Sequence, residues 1–185
     1  NLLSDSANAC SISRHAISNH KQSYTENRLT LSMCIDDFES NVLIGAVFGL
    51  EQVDSDPADG AWIGLRRKDE SYAEFVYVVS GQVVQAGATI PLSELSIGEN
   101  RYLTAEWECR YDGTVCLRIG GYEEAFTEVD YAGYWGIGQL ALSIDETAEV
   151  KFDDVYLENN TLVNYSSPDV SNNFGGIKEE DGFEV

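Results

Sequence analysis

The sequence predicts an all-β sandwich or barrel, and three observations predict it. Hydrophobic residues alternate at period two in nearly every patterned segment, no helical stripe is sustained, and short polar turns separate the segments. At 185 residues the chain can bury one sizeable core. With 43% hydrophobic and 11% aromatic residues it reads as globular rather than disordered.

The first strong strand is RLTLSMCIDDF, in which Leu29, Leu31, Met33 and Ile35 face one way and Thr30, Ser32, Cys34 and Asp36 the other. Next, AWIGLRR and SYAEFVYVVSG flank the polar turn Lys68-Asp69-Glu70. An even-length turn there would collect Trp62, Arg66, Phe75 and Tyr77 on the outer face and Ile63, Leu65, Val76 and Val78 on the core face. Trp62 and Tyr77 beside Arg66 would then form a platform for a sugar ring, since flat aromatics stack on its apolar face while charged groups bond its hydroxyls.

RYLTAEWECR and TVCLRIGG form a hairpin whose register can be derived. A two-residue Asp-Gly turn would put Trp107 and Leu117 on opposite faces and split the core. A three-residue loop, Tyr111-Asp112-Gly113 with Gly113 left-handed, pairs Trp107 with Leu117 and Ala105 with Ile119 inside, and Glu106 with Arg118 outside. Cys109 then points inward and Cys116 outward, which disfavours a bond between them. Cys34, outward on its own strand, could reach Cys116 only if their strands were neighbours. Four cysteines, Cys10, Cys34, Cys109 and Cys116, leave the disulfide pairing open.

QLALSI and AEVKFDDVYLENN close the pattern. Val150 and Phe152 are out of phase with Val155 and Leu157, so one extra residue is inserted at Asp153-Asp154, the signature of a β-bulge. The same two carboxylates could instead hold a structural Ca2+, completed by Asp36, Asp37 or Asp145. Between these strands, YAGYWGIG places Tyr134 and Trp135 among glycines, either as loop groups that bind a ligand or as a plug sealing one end of the core. His15 and His20 match no zinc spacing.

The net charge of −21 repels phosphate backbones and anionic membranes, so nucleic-acid partners are excluded and neutral or cationic ligands favoured. No apolar run approaches the ~20 residues of a membrane span. The chain opens on Asn1, as a processed product or excised domain would. Two sequons, at Asn159 and Asn164, and the even cysteine count point to an extracellular or cell-surface glycoprotein. Residues 1–27 are weakly patterned and expected to contribute an edge strand, 28–162 form the sandwich, and 163–185 read as an acidic tail or linker.

RLTLSMCIDDF, the AWIGLRR hairpin, GENRYLTAEWECRYDGTVCLRIGG and GYWGIGQLALSIDETAEVKFDDVYLE together resemble the concanavalin A-like lectin/glucanase superfamily, which includes laminin-G-like domains. The resemblance implies a two-sheet antiparallel jelly-roll β-sandwich. Its members bind glycans, cleave polysaccharides or mediate adhesion. The glucanase-type E-x-D-x-x-E phrase and the lyase-type His and Tyr motifs are absent. The expectation is therefore a non-catalytic glycan-binding or adhesion module, with Trp62, Arg66, Tyr77, Tyr134 and Trp135 as ligand residues and a glycan or cell-surface protein as partner. The alternatives are a polysaccharide-degrading enzyme with divergent catalytic residues, or a structural subunit that self-assembles through its termini.

Overall fold

A computed structural model of the chain describes residues 10–12, 26–52, 54–142 and 148–160, which form a jelly-roll sandwich of two antiparallel sheets. The six-stranded sheet runs, in spatial order, β1 (Cys10–Ile12), β10 (Tyr134–Ala141), β3 (Val42–Leu50), β4 (Ala61–Arg67), β5 (Tyr72–Val79) and β6 (Gln82–Pro91). The five-stranded sheet runs β11 (Ala148–Asn160), β2 (Glu26–Phe38), β7 (Leu103–Cys109), β8 (Val115–Ile119) and β9 (Tyr122–Phe126). The all-β expectation holds.

The core lies between the sheets and is built from the alternating residues of both. Leu29, Leu31, Met33 and Ile35 of β2, with Ala105 and Trp107 of β7 and Leu117 and Ile119 of β8, join one cluster with Ile44, Phe48, Ile63, Leu65 and Phe75 of the opposite sheet. Trp107 reaches across the interface, where its indole N–H donates to the Ile63 carbonyl at 2.9 Å. A buried polar group left unpaired would cost free energy, and this bond removes that cost while tying the two sheets together.

The β7–β8 hairpin adopts the derived register, with Ala105 opposite Ile119, Glu106 opposite Arg118 and Trp107 opposite Leu117. Gly113 takes φ +83°, the left-handed conformation that the three-residue loop requires. Cys109 is buried in the core and Cys116 lies on the outer face, both as free thiols. Cys34 is also free, and β7 separates its strand from that of Cys116, so a Cys34–Cys116 bridge is not available. The Cys10 side chain lies outside the described residues.

The bulge in β11 is equally clear. Asp153 pairs with Ser32 and Tyr156 with Thr30, so Asp154 and Val155 together oppose one residue of β2. Asp154 takes φ +49°, and the Asp153 carboxylate accepts its N–H at 2.8 Å. The inserted residue reverses the phase of the strand. Leu157 is thereby turned into the core, and Tyr156 and Glu158 face outward.

At the far edges, β6 and β9 are joined by side chain to backbone. Glu124 accepts the Ala88 N–H at 2.6 Å beneath Gly87, where any Cβ would collide with the carboxyl group. Gln85 bonds the Thr127 carbonyl at 2.8 Å.

Candidate functional site

Three of the five residues expected to bind a ligand lie inside the sandwich or are fully covered. The β4–β5 connection is odd rather than even, because Arg67 pairs with Ala73 and Ile63 with Tyr77. Asp69 causes this, accepting the N–H groups of Ser71 and Tyr72 at 2.8 Å each and so holding a tight turn of odd count. Tyr77 consequently faces the core, tilted against Phe126 with centroids 6.3 Å apart, and burial pushes its phenol pKa up. The predicted Trp62–Tyr77 platform does not exist.

Trp62 and Arg66 do share the outer face of the six-stranded sheet, with Val76 and Val78 rather than Tyr77. Trp62 is nevertheless 0% exposed, packed with Leu43, Val47, Leu50 and Leu140 in a second apolar cluster. Its indole N–H donates to the Pro57 carbonyl at 2.7 Å. Arg66 is bound to Glu74 through both Nε and Nη2, and Lys68 approaches the same carboxylate at 3.8 Å. Trp135 is the plug rather than the ligand group. It stacks edge-on against Phe48 and donates to the Tyr131 carbonyl at 2.6 Å, while Tyr134 beside it is half-buried.

The aspartates of the bulge are engaged within the fold. The Asp154 carboxylate accepts a bond from the Ser32 hydroxyl at 3.4 Å, Asp36 pairs with Lys151 at 2.6 Å, and Asp37 accepts the Phe38 N–H at 2.8 Å. Among the described residues, no three His, Cys, Asp or Glu side chains gather as metal ligands. Asp145, His15, His20 and Asn164, like the Asn159 side chain, lie outside the described residues.

An accessible, chemically rich surface is found instead on the outer face of the five-stranded sheet. Cross-strand pairing aligns Tyr156, Thr30, Glu106, Arg118 and Glu123 in one row across all five strands. Four gaps of ~4.8 Å make the row about 19 Å long, enough for several sugar rings. Tyr156 belongs to it only because the bulge turns that residue outward.

Arg118 is the hub. It donates through Nη1 to Glu106 and to Glu108, each at 2.8 Å, and through Nε to Glu123 at 3.0 Å. Glu106 and Glu108 sit two apart on β7, so both side chains leave the same face, each about a quarter exposed. Arg110 adds a 3.2 Å contact to Glu108, and Arg28 lies 3.8 Å from Glu106 and 3.9 Å from Glu158. The hydrogen bond from Arg118 holds the Glu108 pKa below its ordinary value, and the three glutamates push the guanidinium's pKa up. A notch of about 70 Å³ lined by Glu26, Asn27, Arg28, Glu108, Cys109 and Arg110 opens at one end of the cluster.

The E-x-E spacing of Glu106 and Glu108 was visible in the sequence, and the Glu106–Arg118 pair was derived there. Their convergence on one guanidinium was not, because it depends on the rotamers of three long side chains.

No protein-family model and no curated protein matches the sequence. Solved structures do match in fold. Alginate lyase AlgAT5 of polysaccharide lyase family 7 superposes with a TM-score of 0.52 at 13% identity, over 77% of this chain and 63% of that protein. Alginate lyase A1-II′ of the same family gives 0.51 at 13% identity, over 76% of this chain and 65% of that one. The chain thus spans a little under two thirds of either lyase, and it shares the concanavalin A-like jelly roll that its sequence resembles. The neighbours that share this fold are alginate lyases, against the expectation of a non-catalytic glycan-binding or adhesion module, which is corrected on that finding.

Proposed function

We propose that the chain is a polysaccharide-degrading enzyme of the concanavalin A-like class with divergent catalytic residues, acting outside the cell. The observation that carries this reading is the Arg118-centred row, a partly exposed band of carboxylates gathered on one guanidinium, on a fold that its structural neighbours use to cleave a polysaccharide. Glu108, held ionised by Arg118, suits the role of base, nucleophile or electrostatic stabiliser rather than of acid. Tyr156 offers a flat ring at the end of the row, where a sugar can stack.

The test is release of reducing ends from a panel of polysaccharides by the purified chain, with Glu106→Gln and Glu108→Gln beside it. Activity that falls by about 100-fold or more in these variants supports the row as the working surface. Full activity in the double variant moves the chemistry elsewhere, and cleavage of no polysaccharide ends the enzymatic reading.

A further inference from the structure

We infer that the polysaccharide this chain cleaves is uncharged and that the bond is broken by hydrolysis, not by the elimination used on uronate chains. The inference rests on the degradative reading above and names its substrate class.

It follows from where the cations are. Of the eight basic side chains among the described residues, six are already paired with carboxylates: Arg28, Arg66, Lys68, Arg110, Arg118 and Lys151. Arg67 donates to the carbonyls of Phe38 and Asp69, both at 3.1 Å. Arg101 sits exposed in the turn leading into β7, outside the row.

The two chemistries need opposite charges. Elimination removes a proton next to a uronate carboxylate, so negative charge builds up there and must meet cations or strong donors. Hydrolysis passes through a positively charged, oxocarbenium-like state that carboxylates stabilise. In the charged cluster on and beside the row, Arg28, Arg110 and Arg118 stand against Glu106, Glu108, Glu123 and Glu158, three positive against four negative, on a chain of net charge −21. A uronate polymer laid along it would bring more negative charge to a cluster that already has an excess of carboxylates and whose arginines lie against them, whereas a neutral sugar would meet hydroxyl-bonding partners without that cost. The balanced step is addition of water: its oxygen bonds the anomeric carbon, the glycosidic C–O bond breaks, and one water proton ends on the departing oxygen.

The deciding experiment offers the chain mixed-linkage β-glucan and galactomannan as uncharged probes and alginate and polygalacturonate as charged ones, each at low and high salt. Reducing ends and the ultraviolet absorbance of unsaturated sugar are both followed. The expected result is reducing ends from an uncharged probe, without unsaturated product, at a rate that changes less than about twofold with salt. Cleavage of alginate or polygalacturonate at a rate equal to or above that on the uncharged probes, with or without unsaturated ends, overturns this inference and leaves the degradative reading standing. No cleavage of any probe overturns both.

Discussion

The sandwich carries two outer faces of opposite character. On the six-stranded sheet, Leu43, Val47, Trp62, Val76 and Val78 point away from the core and are still fully buried, with the Pro57–Asp59 turn bonded to Trp62. On the five-stranded sheet, the equivalent positions of β2, β7 and β8 carry Arg28, Thr30, Glu106, Glu108, Cys116 and Arg118, and most are partly exposed. Alternation has the same period in both sheets, yet it separates core from solvent only in the second. A residue's face within a strand therefore says which sheet surface it joins, and not whether that surface is wet.

The largest test of this contrast is Trp62→Ala, expected to cost about 4 kcal/mol because it empties a packed site and orphans the Pro57 carbonyl. Chemical denaturation measures it; a loss below about 1 kcal/mol would mean that the apolar face is open to solvent. Leu157→Ala comes next. Leu157 is buried only because the inserted residue reverses the phase of the strand, and emptying its site should cost about 3 kcal/mol, whereas Tyr156→Ala, one residue earlier on the outer face, should cost less than about 1 kcal/mol. If the two variants lose equal stability in chemical denaturation, the bulge does not set the phase of the strand.

Smaller is Glu74→Gln, which leaves the three-quarters-buried Arg66 without its counter-ion and should cost about 2 kcal/mol. The mildest effect belongs to the charged face. Glu108→Gln should lower stability at neutral pH by about 0.5 kcal/mol, since solvent screens the cluster. Its pH dependence has a definite sign. The Glu108 pKa is lowered in the folded state, so its contribution is complete above the unfolded value near pH 4.3 and is lost as pH falls through the folded value. The variant should therefore flatten the acid limb of the stability curve, and an unchanged limb would show that Arg118 does not hold Glu108 ionised.

Strands with one wet face were legible because their alternation is written in residue types. The β7–β8 register and the β11 bulge could be derived from a choice between core and split-core arrangements. β3 escaped notice as a strand because VLIGAVFGL is apolar on both faces and shows no period. β6 and β9 escaped for the opposite reason: they are edge strands whose outward positions carry little contrast. In the β4–β5 hairpin the error was one residue of turn length, and a shift of one in a period of two exchanged Tyr77 for Val76 and Val78 on the outer face.

Sequence by itself determined the all-β class, the alternating core of β2, β7 and β8, the hairpin loop around Gly113 and the insertion at Asp153-Asp154, because each rests on local pattern and backbone sterics. Only the tertiary structure decided that Trp62 is covered, that Tyr77 and Trp135 belong to the core, and that Tyr156, Thr30, Glu106, Arg118 and Glu123 fall into line. That alignment depends on which strands are neighbours across the sheet, and strand order is settled by long-range packing that no local spacing encodes.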